Sequence, residues 1–121
     1  MQERVSILLV NSLPGNLHVL DQFLGKEGYL TIPAATYEAF DQALAGVSSP
    51  SAALVDISGF NAEIWPRCEQ LRAKKVPFLV ISPRQSAAIQ QASLSHGARG
   101  VMVKPLVIRE LIGIIRSMLA E

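Results

Sequence analysis

Asp56 follows the apolar run Ala52-Ala53-Leu54-Val55 and precedes Ile57-Ser58-Gly59, while Ser82 and Lys104 stand at the ends of two later apolar runs. A carboxylate, a hydroxyl and an ammonium brought together at strand ends could offer one anionic group a nucleophile, a donor and a cation. The matching place after the first run, residues 5–10, carries Asn11-Ser12. The set therefore has a nucleophile-like carboxylate and a cation but lacks a second acid.

These positions make a site only if the elements between them bring the strand ends together. Short apolar runs at residues 5–10, 29–32, 52–55, 77–81 and 100–103 alternate with helical patterns. The first helix is expected to begin near Pro14 with Ser12 as its cap, to carry Leu17, Leu20, Phe23 and Leu24 on one face, and to stop at Gly28. Thr36 is placed to cap the second helix and Gly46 to end it. The third is expected to start near Trp65, because Pro66 cannot lie well inside a helix. Ile64, Cys68 and Leu71 then form its inner edge, with residues 58–64 a loop overhanging Asp56. A weakly amphipathic fourth helix runs from Pro83 or Arg84 to Ser95, with Ile89, Ala92 and Leu94 as its apolar side. In the last helix Ile108, Leu111, Ile112, Ile115, Met118 and Leu119 follow a helical period, opposite Arg109, Glu110 and Arg116.

Strict alternation of buried strands with helices implies an α/β, doubly wound (βα)5 fold of flavodoxin-like type, with a parallel sheet covered on both faces. The common strand order for such a sheet is 2-1-3-4-5. It opens a crevice between the carboxyl ends of the first and third strands. Asn11, Ser12 and Asp56 would line that crevice, with Ser82 and Lys104 on the same edge.

A chain of 121 residues, 50% hydrophobic and 17% charged, matches a single domain spanning 1–121. With a net charge of +1 and no basic block longer than Lys74-Lys75, it has no electrostatic footprint for nucleic acid or an anionic membrane. Gly46, Ser48, Ser49 and Pro50 interrupt the longest uncharged stretch, so no membrane span is expected. Met1-Gln2-Glu3-Arg4 lacks the pattern of a signal peptide, and the lone Cys68 at an apolar helix position reads as a buried structural thiol. Together these features lead to the expectation of a cytoplasmic protein.

The ordered set Asn11-Ser12, Asp56, Ser82 and Lys104-Pro105 resembles the receiver domain of two-component response regulators, from Val5 to Leu119. Residues 8–16, Leu-Leu-Val-Asn-Ser-Leu-Pro-Gly-Asn, look like a receiver opening with both acids replaced. Gly97-Ala98-Arg99-Gly100 looks like the approach to the fifth strand. The resemblance implies a CheY-like signalling module in a phosphorelay rather than an enzyme. In that family the residue matching Asp56 accepts a phosphoryl group. Magnesium is held by that Asp, by acids at the places of Asn11 and Ser12, and by a carbonyl matching that of Ser58. Lys104 and Ser82 match the residues that hold the product, and the Lys-Pro bond is usually cis.

Asn11 and Ser12 depart from that pattern. A unit-charge contact at about 4 Å is worth roughly 4 kcal/mol gross at an effective dielectric of about 20. Even if desolvation leaves only about 1.4 kcal/mol per lost carboxylate, that is tenfold in affinity. Magnesium is therefore expected to bind weakly or not at all, and phosphorylation to be slow or absent. Two neutral side chains also remove the repulsion that clustered carboxylates suffer without metal, leaving Asp56 to pair with Lys104. The chain reads as a pseudo-receiver working through protein contacts, with a phosphorylation-competent receiver as the alternative. Val101 replaces the aromatic ring common in the family's switch, and Phe60 and Ile64 replace a frequent proline and glycine in the loop over the site.

Plainer readings stay open beside these. Asp56 could serve only as a turn carboxylate, and Ser82 could cap the fourth helix as well as touch phosphate. Trp65 could pack across the loop or anchor a partner. His18 and His96 have no ligand at metal spacing. A flavodoxin-like small-ligand binder is the remote alternative, because Gly15 alone in residues 11–16 makes a poor phosphate cradle. An Asp-based phosphatase would carry an acid where Ser58 stands, and a cobalamin module would place His18 in the first loop instead of the first helix. The implied partners are a sensor kinase or another signalling protein, an output domain, and a second copy docked through the fourth and fifth helices and the fifth strand. Arg99, Arg109 and Glu110 would form its polar rim.

Overall fold

Alternation within the first strand assigns its side chains to two opposite cores. In the computed structural model, which describes residues 5–46 and 49–120, Ile7 and Leu9 join one buried cluster while Leu8 and Val10 join the other. The elements run β1 (Ser6–Val10), α1 (Pro14–Lys26), β2 (Leu30–Ala34), α2 (Tyr37–Ala45), β3 (Ala52–Asp56), α3 (Ile64–Ala73), β4 (Phe78–Ser82), α4 (Ala87–Ser95), β5 (Gly100–Val103) and α5 (Ile108–Leu119). All pairings are parallel, in the order β2-β1-β3-β4-β5. Each pair of strands must be joined by a crossover, which is why the helices fall on both faces.

One face of the sheet packs Leu17, Leu20 and Leu24 of α1 and Leu111, Ile112, Ile115 and Met118 of α5 over Ala52, Leu54, Leu79 and Ile81. The other packs Phe40 and Leu44 of α2 and Ile64, Cys68 and Leu71 of α3 over Ala53, Val55, Phe78 and Val80. β3 and β4 are buried at every position because they lie mid-sheet under both layers. The carboxyl edge is the end at which Val10 and Asp56 stop, and there the winding changes direction between β1 and β3.

Several boundaries differ from the sequence reading, each for a local reason. β2 runs through Pro33 to Ala34, because an edge strand tolerates a residue without an N–H. α1 has no side-chain cap and Leu13 is its N-cap, so Ser12 does not cap it. α2 instead keeps its expected ends: the Thr36 hydroxyl caps it, accepting from the Ala39 amide at 3.1 Å, and it gives way at Gly46. α3 starts at Ile64, one residue before Trp65, which keeps Pro66 in the first turn where its missing N–H has no helical partner to lose.

The fourth helix departs most. It begins at Ala87 with Ser86 as its cap, and its buried residue is Ser93. The Ser93 hydroxyl donates to the Ile89 carbonyl at 2.6 Å, while Leu94 is left 48% exposed. A short helix without a strong apolar stripe has little to fix its rotation on the sheet, and here a small side chain takes the closest approach. Lys104-Pro105 is cis, as the resemblance implies. The Met1–Arg4 start and Ser48, on which two sequence expectations fell, lie outside the described residues.

Cys68 is 1% exposed, and burial pushes its thiol up to about 12. An unfolded Cys ionises near about 8.5. The folded thiol's pKa is the higher, so its share of stability is complete below the unfolded pKa. That share is lost as pH rises toward about 12. Iodoacetamide at mildly alkaline pH should leave the native protein unlabelled and label it rapidly in urea, as read by intact mass. Equally fast labelling of the folded protein would contradict a buried thiol.

Candidate functional site

The parity of β3 turns Asp56 toward the same face as Ala52 and Leu54, where α1 and the β5–α5 connection overhang the sheet. Asp56 is 2% exposed, so its charge must be met by protein groups. Its Oδ2 lies 2.6 Å from Lys104 Nζ and accepts from Asn11 Nδ2 at 3.2 Å. Its Oδ1 accepts from the Ser58 amide at 2.9 Å. Three donors from three strand ends thus converge on one carboxylate.

Asn11 is oriented by its own second bond. Its Oδ1 accepts from the Leu13 amide at 2.9 Å, which leaves only the NH2 side to face Asp56. Ser58 links the remaining parts. Its hydroxyl accepts from Lys104 Nζ at 3.2 Å, and its carbonyl accepts the Ser12 hydroxyl at 2.9 Å. That last contact requires glycine next door, because a Cβ at Gly59 would lie 2.4 Å from Ser12 Oγ and Gly59 already has φ +80°. Sequence reasoning gave Ser58 only a backbone role. The Ser-Gly pair just past a strand end was the available signal for a turn packed against a neighbour.

The loop over the site is tied down from outside. Phe60 packs tilted on Tyr37 at 5.2 Å, the Tyr37 hydroxyl donates to Asn61 Oδ1 at 2.7 Å, and Arg67 lies 4.1 Å from the Tyr37 ring centre while pairing with Asp41 at 3.0 Å. Burial pushes the Tyr37 phenol up, and the Asn61 backbone works against that shift. Trp65 stacks on His96 at 5.4 Å, and His96 Nδ1 is 2.9 Å from Glu69. So Trp65 joins α3 to the end of α4. His18 is exposed on α1.

Ser82 is buried at the same edge but does not join this network. Register pairs Asp56 with Ile81, so Ser82 is one residue further on and shares the parity of Phe78 and Val80, on the other face. Its hydroxyl donates to the Arg84 carbonyl at 2.6 Å and accepts from the Arg84 amide at 3.4 Å. That turn also explains why α4 starts late, with the cap at Ser86 instead of Ser82.

A magnesium ion demands hard oxygens in octahedral array. The groups at the place where the resemblance puts one do not fit it. Asn11 presents an amide NH2, the Ser58 carbonyl is taken by Ser12, and both Asp56 oxygens already accept hydrogen bonds. Among the described residues no group of three His, Cys, Asp or Glu side chains is placed to hold a metal.

No family model matches the chain. It is 34% identical over 120 residues to the sensory transduction protein RegX3 of Mycobacterium bovis and of Mycobacterium tuberculosis, an alignment covering 94% of this chain and 50% of theirs. The chain thus spans about half the length of these relatives. Among solved structures it is similar to a CheY-like response regulator receiver domain from Methanospirillum hungatei, with a TM-score of 0.85 at 25% identity, covering 98% of this chain and 95% of that one. A two-component response regulator from Clostridium difficile shares the fold with a TM-score of 0.88 at 18% identity, covering 98% of both chains.

Asn11→Asp should set a second carboxylate against the Asp56 oxygen that Asn11 now serves. The loss expected in EDTA is about 1–3 kcal/mol, the cost of replacing a buried donor with a group that cannot donate. Millimolar magnesium should return part of it in urea melts of the variant and leave the parent unchanged. An unaltered midpoint for the variant in EDTA would show that the Asn11 bond carries no weight.

Proposed function

Because this chain is a CheY-like response-regulator receiver domain of two-component signalling, we propose that it acts as a pseudo-receiver, held in one charge state and read by protein contacts rather than by phosphate. The observation that carries the proposal is the engagement of both Asp56 oxygens by Lys104, Asn11 and the Ser58 amide. A phosphoryl donor approaching that carboxylate meets an anion whose two oxygens both already accept hydrogen bonds, with Lys104 as the cation paired to it. Phosphoryl transfer depends on positioning and on neutralising the charge of the transferred group, and both are deficient here.

The remaining receiver parts support the same reading. Ser82 is held in its own turn and would have to break two bonds with Arg84 to reach the crevice. Val101, half-buried on β5, is β-branched and stiff where the family commonly has a mobile ring. A signal would then pass through contacts with a sensor kinase, an output domain or a second copy across α4, β5 and α5. Among the described residues no helix is long and apolar enough to cross a membrane.

Acetyl phosphate with magnesium, followed by intact mass, tests the proposal. No stable adduct is expected, and millimolar magnesium should leave the melting temperature unchanged. One added phosphoryl group, absent in Asp56→Asn, would establish the alternative of a working receiver that uses Asp56 as acceptor.

A further inference from the structure

Beside Asp56, between α1 and the β5–α5 connection, lies an open cavity of about 280 Å³. Its apolar walls are Val19, Leu20, Leu106 and Ile108, and its polar lining is Asn11, Asn16, Asp56 and Lys104. It lies just below the range of about 300–1,000 Å³ common for small-molecule sites, and it has their usual make-up of apolar walls with a few convergent polar groups. Val19, on its wall, is 63% exposed, and Val107, between the wall residues Leu106 and Ile108, is 52% exposed. Large apolar side chains thus lie open to water at the mouth.

The polar lining beside Asp56 has a definite hydrogen-bonding sign. Lys104 carries three N–H donors. Asp56 and Ser58 take two of them, and the head group's side chain is 27% exposed on the cavity side of the pair. Asn11 likewise gives one amide hydrogen to Asp56 and keeps another. Both carboxylate oxygens already accept, three bonds in all, so the spare donors beside them are those of Lys104 and Asn11, with the Asn16 amide on the same lining. It is also electrically balanced, because Asp56 already neutralises Lys104. An incoming anion would meet the neighbouring carboxylate, and an incoming cation would meet the Lys104 ammonium.

We propose that this cavity is a binding site for a small uncharged molecule with an apolar body and one carbonyl acceptor, seated on Lys104 and Asn11 between α1 and the β5–α5 connection. This rests on the crevice not being claimed by a metal ion. Occupancy would bridge α1 to the start of α5, and so couple the cavity to the helix whose buried face is the most regular in the molecule.

Hexanamide, hexanoate and hexylamine, matched in chain length, test it by titration into the labelled protein under two-dimensional NMR. Hexanamide should give saturable shifts at Asn11, Val19, Lys104 and Ile108, with the two charged probes weaker by about tenfold or more. Val19→Glu, at an exposed position that leaves the core intact, should abolish them. Leu94→Glu, on α4, should leave them unchanged. Hexylamine binding as tightly as hexanamide, shifts that survive Val19→Glu, or no saturable shift with any probe would overturn the site. Magnesium alone moving the Asp56 and Ser58 amides would instead overturn the metal-free crevice on which the site rests.

Discussion

A carboxylate that is almost wholly removed from water governs the arrangement of this sheet edge. Asp56 cannot stay charged at the end of β3 without donors, and the chain supplies them from the ends of β1 and β5 and from its own next turn. Each donor then has its own position fixed. Asn11 is oriented by the Leu13 amide, Ser58 by Ser12, and Lys104 by Ser58 as well as Asp56. The bonds are individually worth about 1 kcal/mol, or more where a charge takes part. Removing one member leaves another buried and unpaired, so the group behaves as a unit.

Neutral side chains on β1 change what that unit can be. Ordinary acids at Asn11 and Ser12 would leave three carboxylates in mutual repulsion until a cation arrived, and the loop after β3 would answer to metal. With an amide and a hydroxyl, the connections from the end of β1 to the end of β3 and its turn are hydrogen bonds made without a cation. Gly59 is the complement of this arrangement, since no other residue fits under the Ser12 hydroxyl at a positive φ. The Tyr37, Phe60 and Arg67 contacts hold the far side of the loop, so it is fixed at both ends.

Much of this was legible in the sequence, because buried parallel strands are continuous apolar runs and their ends are marked by the first polar residue. Strand order, the crevice and the meeting of Asn11, Ser12, Asp56 and Lys104 all follow from that pattern and from the helical period of residues 108–119. What escaped was decided by short-range competition for hydrogen bonds. Ser12 and Ser82 each precede a helix, and a hydroxyl there reads as a cap. Each instead takes a carbonyl, of Ser58 and of Arg84, and Leu13 and Ser86 begin the helices. Pro33 escaped because only the edge position of β2 tells whether its missing N–H matters. The Leu94 exposure and the burial of Ser93 escaped because a helix with so weak a stripe does not declare its inward face.

The separation of Ser82 from Asp56 bears on how a signal could travel. A switch that runs from a reacting carboxylate to a hydroxyl on the next strand requires the two to approach across the sheet edge. Here strand parity sends them to opposite faces, and each is satisfied where it is. Moving Ser82 would expose a buried hydroxyl and two groups of Arg84 before any new bond formed, and Val101 has few rotamers with which to follow it. Among the described residues no side-chain hydrogen bond joins the Ser82 turn to the Asp56 network. What joins Asp56 to a surface is instead α1 and the β5–α5 connection, whose Val19, Leu106 and Ile108 stand over the Lys104 head group. At that mouth apolar surface meets water, and covering it is favourable by itself.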